Sequence, residues 1–138
     1  MANTKPIGVA FEDQNIIGAD YVYAAGEIGY SAAGQGTVTQ ATSKSTGVTL
    51  NKSAGQITMN NAALAAATNV TFTLTNSTLS AKDVLILNVS GAATSGAYNC
   101  WVSSMSAGSA TITLRNITAA TSLSEAVVIN FAIIHGAP

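Results

Sequence analysis

From Thr37 onward, apolar and polar residues alternate in short segments that are separated by residues typical of turns. The clearest segment is "NVTFTLTN", in which Val70, Phe72 and Leu74 alternate with threonines. A period of two places the two sets of side chains on opposite faces of a β-strand. Seven segments fit a strand: "GVTLN", "GQITM", "NVTFTLTN", "DVLILNVS", "AYNCWVSS", "SATITLRN" and "AVVINFAII". Their number and spacing predict an all-β fold, an antiparallel, jelly-roll-like β-sandwich.

Three local features extend this prediction. The turn residues "NKSAG" predict a hairpin between "GVTLN" and "GQITM". "DVLILNVS" is apolar at both alternating sets of positions, which predicts a central strand that is covered on both faces. The alanine-rich segment "NNAALAAAT" predicts one or two turns of helix.

The first 36 residues have a different texture. They contain four of the six acidic residues and four of the seven Phe and Tyr residues, and no period of two or 3.6 persists. This pattern predicts an extended N-terminal arm with one or two short strands over residues 1–36, followed by a β-sandwich domain over residues 37–138. Aromatic side chains dominate the energetics of many interfaces, so we expect Phe11, Tyr21 and Tyr23 to anchor the arm to a partner.

Charged residues are scarce, at 8% of the chain, whereas Ser and Thr together number 31 and hydrophobic residues make up 48%. A surface with few charges has little electrostatic repulsion, which suits a protein whose surface is covered in an assembly. The net charge of −1 argues against a nucleic-acid partner. The chain contains neither a stretch of about 18 apolar residues nor the apolar run of a signal peptide, so no membrane partner is expected.

Groups that titrate near neutral pH or bind metals are few. The one Cys and the one His, Cys100 and His135, cannot form a disulfide or the usual zinc site. We expect Cys100 to be half-buried in a strand and His135 to be an exposed tail residue or an interface contact. The segment "TSKSTG" lacks the glycines that precede the lysine of a phosphate loop, so Lys44 is expected in a solvated turn. No catalytic, cofactor-binding or metal-binding residue is therefore predicted.

Five N-x-[ST] sequons occur in this chain, which is rich in Ser, Thr and Asn. They are attributed to chance and not to glycosylation. Their asparagines are Asn51, Asn69, Asn76, Asn88 and Asn116.

Four phrases of the sequence resemble capsid decoration, or cement, proteins of tailed bacteriophages. They are "GTVTQATSKSTGVTLNKSAGQITMNNAAL", "NVTFTLTNS", "DVLILNVSG" and "SEAVVINFAIIHG", and the resemblance spans about residues 34–136. It implies a structural virion protein, without enzymatic activity, on the outer capsid surface. Such a protein binds the major capsid protein, cements neighbouring capsomers and forms homo-oligomers, and the sequence leaves dimer and trimer both open.

Two other functional classes are weighed against the cement protein. One is a phage fibre or adhesin module that binds host surface glycans, for which Trp101 and Tyr98 are the aromatic candidates. The other is a small hydrolytic enzyme, which the absence of clustered titratable groups disfavours. Trp101 is also a candidate interface residue under the first hypothesis.

Overall fold

The computed structural model describes residues 20–136, which form eight β-strands and one turn of 3-10 helix, Ala32–Gly34. In chain order, the strands are β1 Gln35–Thr39, β2 Val48–Thr49, β3 Ala54–Thr58, β4 Asn69–Thr75, β5 Val84–Gly91, β6 Tyr98–Ser106, β7 Ser109–Asn116 and β8 Val128–Ile134. Each of the seven segments predicted as strands overlaps one of β2 to β8. The strand β1 was not among them, and it begins inside the segment assigned to the arm.

The strands form two four-stranded sheets that pack against each other. Sheet A has the order β1-β3-β8-β5, and sheet B has the order β2-β4-β7-β6. The predicted all-β sandwich is confirmed, but the predicted antiparallel pairing holds for only four of the six strand pairs. Both sheets are mixed, because β1 pairs with β3 and β2 pairs with β4 in parallel, while the other pairs are antiparallel.

The core lies between the sheets and is built by the predicted alternation. In β8, Ile129, Phe131 and Ile133 point inward and are at most 4% exposed. Sheet B faces sheet A, and its neighbouring strands β4 and β7 contribute a matching layer of inward side chains. Those layers join one continuous cluster: Val48, Ile57, Met59, Leu64, Phe72, Leu74, Leu79, Leu85, Ala110, Ile112, Leu114 and Val127. Each full-sized member contributes about 1.5–3 kcal/mol on burial.

The predicted hairpin between "GVTLN" and "GQITM" is wrong, because β2 belongs to sheet B and β3 belongs to sheet A. The chain crosses from one sheet to the other between Thr49 and Ala54. The crossing is fixed by two hydrogen bonds: the Leu50 N–H donates to the Thr75 carbonyl at 3.0 Å, and the Asn76 side-chain amide donates to the Lys52 carbonyl at 2.7 Å. Turn residues mark the change of direction, but these long-range partners decide the sheet.

The prediction that "DVLILNVS" is a central, covered strand is also wrong. This strand is β5, which lies at the edge of sheet A and pairs with β8 alone. Its outward side chains Val84 and Ile86 are 56% and 49% exposed. Apolar residues at both sets of positions are compatible with burial on two faces, but the sandwich supplies a second layer on only one.

The segment "NNAALAAAT" forms no helix. Leu64 instead pairs with Leu123 in an isolated antiparallel bridge, with backbone hydrogen bonds of 2.8 and 3.1 Å. The buried side chain of Asn116 also donates to the Leu64 carbonyl, at 3.0 Å. These tertiary partners override the modest helix propensity of the alanines.

Two of the five sequons have a structural role. Asn76 directly follows β4, and Asn116 is the last residue of β7. Both residues are fully buried. In each, the side-chain oxygen accepts hydrogen bonds from the backbone N–H and the hydroxyl of the threonine two residues later, Thr78 or Thr118. These local turns satisfy buried polar groups at the strand ends.

Gly55 occupies a position in β3 that has no room for a side chain. A Cβ atom there would lie 2.6 Å from the Gly36 carbonyl oxygen and 2.8 Å from the Leu50 Cδ2 atom. The parallel pairing of β1 with β3 and the sheet crossing at Leu50 therefore depend on glycine at this position.

We expect Gly55→Ala to lower the free energy of unfolding by about 1–3 kcal/mol, because an inserted methyl group would overpack this contact. Urea unfolding followed by circular dichroism measures the change. The matched control is Gly91→Ala, where a Cβ atom would meet nothing within 4 Å, with an expected change within about 0.5 kcal/mol. Equal stability of the two variants would contradict the close approach described here.

Candidate interaction surfaces

The outer face of sheet A carries an exposed apolar patch, formed by Val84, Ile86 and Ile134. Val84 pairs directly with Ile134 across the β5–β8 ladder, and the next outward pair is Ile86 with Ala132. The three patch residues are 49–56% exposed. Exposed apolar residues are common singly, but three neighbours on one sheet edge form a surface that gains free energy when another molecule covers it.

An amide row crosses the same face beside the apolar patch. Asn88, Asn130 and Gln56 lie side by side on β5, β8 and β3. The Gln56 amide donates to the Asn130 side-chain oxygen at 3.0 Å, and the Ser90 hydroxyl donates to the same oxygen at 3.0 Å. The strands of sheet A contain no charged residue. A partner can therefore cover this face without desolvating an ion.

The edge of β5 is unpaired in residues 20–136, and a β-bulge between Val89 and Gly91 interrupts its ladder with β8 near one end. Edge strands usually carry a Lys, a Pro or a short length that prevents pairing with another chain. β5 has eight residues, "VLILNVSG", with neither a charge nor a proline, and it pairs on one side only. No strand among residues 20–136 pairs with its other side, which borders β6.

The outer face of sheet B is rich in hydroxyl groups and contains Trp101. Trp101 lies on the edge strand β6, pairs with Thr113 on β7 and is 37% exposed. The outward positions of β4, Thr71, Thr73 and Thr75, are all exposed. Arg115 is the one charged residue in the strands of this sheet, and its guanidinium donates to the Asn69 side-chain oxygen at 3.3 Å.

The described part of the arm, residues 20–31, is exposed along its whole length. Tyr21 and Tyr23 are 77% and 88% exposed, and their rings stack with centroids 5.9 Å apart. The arm joins the sandwich at Tyr30, whose hydroxyl donates to the Ile133 carbonyl of β8. The Gln35 amide also donates to the Tyr30 carbonyl, at 2.7 Å. Phe11, the third predicted anchor, lies outside the described residues.

Asp83 holds together the strand ends beside the apolar patch. Its carboxylate accepts hydrogen bonds from the Ser80 N–H and hydroxyl, both at 2.8 Å, and from the Gly136 N–H at 3.0 Å. It also contacts the His135 Nδ1 atom at 3.0 Å. These bonds, first of all the one from the Ser80 N–H, lower the pKa of Asp83 to about 2. The carboxylate therefore fixes the start of β5 to the end of β8.

His135 is partly exposed to solvent and also contacts a buried carboxylate. Its side chain is 45% exposed, whereas that of its partner Asp83 is 1% exposed. The expectation of an exposed residue near the end of the chain agrees with this placement, and the contact with Asp83 was not anticipated. Only the long-range pairing of β5 with β8 brings these two residues together.

The expectation of a solvated turn at Lys44 is wrong, because Lys44 is only 3% exposed. Its ammonium group donates to the backbone carbonyls of Asn60 and Glu125. Burial lowers the pKa of Lys44, while the nearby Glu125 carboxylate opposes the shift. The lysine therefore ties its turn to two distant segments.

Glu125 lies close to Lys44 and hydrogen-bonds to the chain between β5 and β6. The Thr94 hydroxyl donates to one carboxylate oxygen at 2.7 Å, and this bond is the main cause of the lowered pKa of Glu125. Burial raises the pKa of the neighbouring Tyr98. The three groups Lys44, Glu125 and Tyr98 thus form a polar cluster that holds loops in place.

A groove of about 520 Å³ separates β5 from β6 and is lined by residues 87–91, 93–96 and 98–100. Cys100 is half-buried there, and burial raises the pKa of its thiol, which keeps it protonated and weakly nucleophilic. Among residues 20–136, no group of three or more His, Cys, Asp or Glu side chains is placed to hold a metal ion. Over the same range, no helix has the length and apolar character needed to cross a membrane.

Comparisons with protein-family models, with curated proteins and with solved structures found no match for this chain. The surfaces described above therefore stand on their own geometry.

The structure brings Tyr21 and Tyr23 together in the arm, and it places Trp101 on the outer face of sheet B. Sequence reasoning missed the apolar patch and the tie formed by Asp83. A signal for the patch was present: "DVLILNVS" is apolar at alternate positions that require either a covering layer or a partner. No local signal identified His135 and Gly136 as partners of Asp83, because they are 52 and 53 residues away.

We expect Asp83→Asn to lower stability at neutral pH, because an amide makes weaker hydrogen bonds with these donors than a carboxylate does. A carboxylate with a depressed pKa stabilises the fold above its unfolded pKa and loses that contribution as the pH falls. The stability difference between wild type and Asp83→Asn should therefore narrow from about pH 4 to about pH 2. Urea midpoints across this pH range measure it.

The control for this series is Asp20→Asn, which removes an exposed carboxylate in the arm. It should leave the urea midpoint unchanged at every pH. A difference between wild type and Asp83→Asn that stays constant down to pH 2 would contradict the role assigned to the carboxylate.

Proposed function

We propose that this chain is a structural virion protein that binds the outer surface of a phage capsid and cements neighbouring capsomers of the major capsid protein. The proposal starts from the resemblance of residues 34–136 to decoration proteins of tailed phages. It includes self-association into a homo-oligomer, and it assigns the chain no enzymatic activity.

The observation that carries the proposal is the chemistry of the two outer sheet faces. Their strands contain one charged residue, Arg115, and otherwise present hydroxyl, amide and apolar groups. Covering such faces costs little desolvation of charge, and each contact gains a small amount of free energy. On a symmetric shell, many such contacts act together, so weak individual contacts produce firm attachment.

The arm supports the same role by a different means. Its tyrosines are exposed and stacked, and a tyrosine side chain has only two rotatable χ angles, so they bury a large area on binding at a small cost in side-chain entropy. The link at Tyr30 attaches the arm to β8, so that a contact made by the arm is transmitted to the sandwich.

We expect deletion of residues 1–29 to weaken binding to undecorated shells of the cognate major capsid protein by at least about tenfold. Tyr30 is retained so that the link to Ile133 survives and the sandwich stays folded. Co-sedimentation with purified shells measures binding, and the thermal melting curve of the free protein checks the fold. Ile117→Thr is the matched control, because Ile117 is 47% exposed and follows β7 in sheet B.

Normal decoration of shells by the folded, truncated protein would contradict the role of the arm. Failure of the full chain to bind shells, together with its absence from purified virions, would contradict the cement function itself.

A second candidate, a fibre or adhesin module that binds host glycans, is favoured by one observation. Trp101 is partly exposed on a face of hydroxyl groups, and an aromatic ring beside hydrogen-bonding groups is the arrangement that stacks against a sugar.

If the second candidate is correct, the purified protein binds defined glycans on an array, and Trp101→Ala weakens that binding by at least about tenfold. Ile117→Thr again serves as the control, because it removes an exposed apolar side chain outside the strands of sheet B. Glycan binding that is unaffected by Trp101→Ala would exclude this face as the sugar site.

A further inference from the structure

We propose that the arm of one copy of this chain binds the unpaired β5 edge of a second copy, with Tyr21 and Tyr23 packing over the apolar patch. The inference rests on the proposed function in that it supplies the contact for self-association. In the resulting dimer, each copy binds the arm of the other at its own β5 edge, and a two-fold axis relates the two copies.

Neither surface is covered by residues 20–136 of its own chain. Tyr21 and Tyr23 are 77% and 88% exposed, and the patch residues Val84 and Ile134 are each 56% exposed. The arm is attached at Tyr30 to Ile133, next to Ile134, and its tyrosines are still mostly exposed. Both sets of apolar side chains therefore remain available for a contact with another molecule.

The spacing of the two tyrosines matches the spacing of the outward residues on β5. Tyr21 and Tyr23 stack on each other and are two residues apart, as are the outward residues Val84 and Ile86 of β5. An extended segment that pairs with the edge of a sheet places alternate side chains on one face. An arm that adds as a strand to β5 therefore carries both tyrosines onto the face where the patch lies. The intervening Val22 turns to the other side, toward the groove between β5 and β6.

The charges on the arm and the exposed charge beside the apolar patch have opposite signs. The described arm carries two acidic residues, Asp20 and Glu27, on either side of its apolar segment. The exposed Lys82 lies two residues before the patch residue Val84. The neighbouring Asp83 carboxylate is buried and engaged by Ser80, His135 and Gly136, so Lys82 is the charge that this end of β5 presents to an approaching arm.

The reciprocal geometry predicts a specific complementation between two variants of the full chain. The arm variant carries Tyr21→Ser and Tyr23→Ser, and the patch variant carries Val84→Thr and Ile86→Thr, which keep β-branched side chains and strand propensity. Each variant paired with itself lacks both contacts. A mixture of the two retains one contact, between the intact arm of the patch variant and the intact patch of the arm variant.

The experiment measures the dimer dissociation constant by sedimentation equilibrium over a concentration series, without capsid shells, and a fluorescent label on one of the two variants identifies heterodimers in their mixture. Wild type should form dimers, and each variant alone should show a dissociation constant raised by at least about tenfold. The equimolar mixture should recover heterodimers with an intermediate dissociation constant. Ile117→Thr should match wild type, and melting curves should show that every variant is folded.

Three results would overturn the inference: a wild-type chain that is monomeric throughout the series, variants that dimerise as wild type does, or a mixture that does not recover heterodimers. The test is separate from that of the proposed function. Dimers that exchange arms but do not bind shells would contradict the cement role alone. Monomers that decorate shells normally would contradict arm exchange alone.

Discussion

The structure depends on the packing of two sheets against each other, and residues 20–136 add no third layer. Burial of the inward side chains of β4, β7 and β8 provides the main stabilising free energy, as the burial of Ile112, Ile129 and Ile133 illustrates. The same arrangement leaves both outer faces open. The exposure of Val84 and Ile86 follows from it, because an edge strand in a two-layer fold has one covered face at most.

Buried polar groups complete what the apolar core cannot do, which is to fix the ends of strands and the loops between them. Asn76 and Asn116 close strand ends, Lys44 ties a turn to two distant carbonyls, and Asp83 joins the start of β5 to the end of β8. Each of these groups is paired, as burial requires. They hold the outer surfaces in a defined shape, and a surface of defined shape binds a partner at a lower entropic cost.

The scarcity of charge connects the fold to the proposed role. A charge-poor surface is a liability for a protein that diffuses alone, because little repulsion opposes association. The same charge-poor surface is an advantage for a protein whose faces are covered by neighbouring subunits on a symmetric shell. The unpaired edge of β5 has the same double character, since an unprotected edge invites aggregation unless a particular strand occupies it.

The sequence by itself determined the all-β class, the inward and outward faces of β4, β7 and β8, and the exposed aromatic character of the arm, because alternation and composition are local properties. Only the tertiary structure decided that β2 and β3 lie in different sheets, that β5 is an edge strand and that Lys44 is buried. These features depend on residues that are distant in the chain: Thr75 for the crossing, β8 for the edge and Glu125 for the lysine. A pattern within one segment specifies which side chains are apolar, whereas the neighbours that cover them are fixed by the packing of the whole chain.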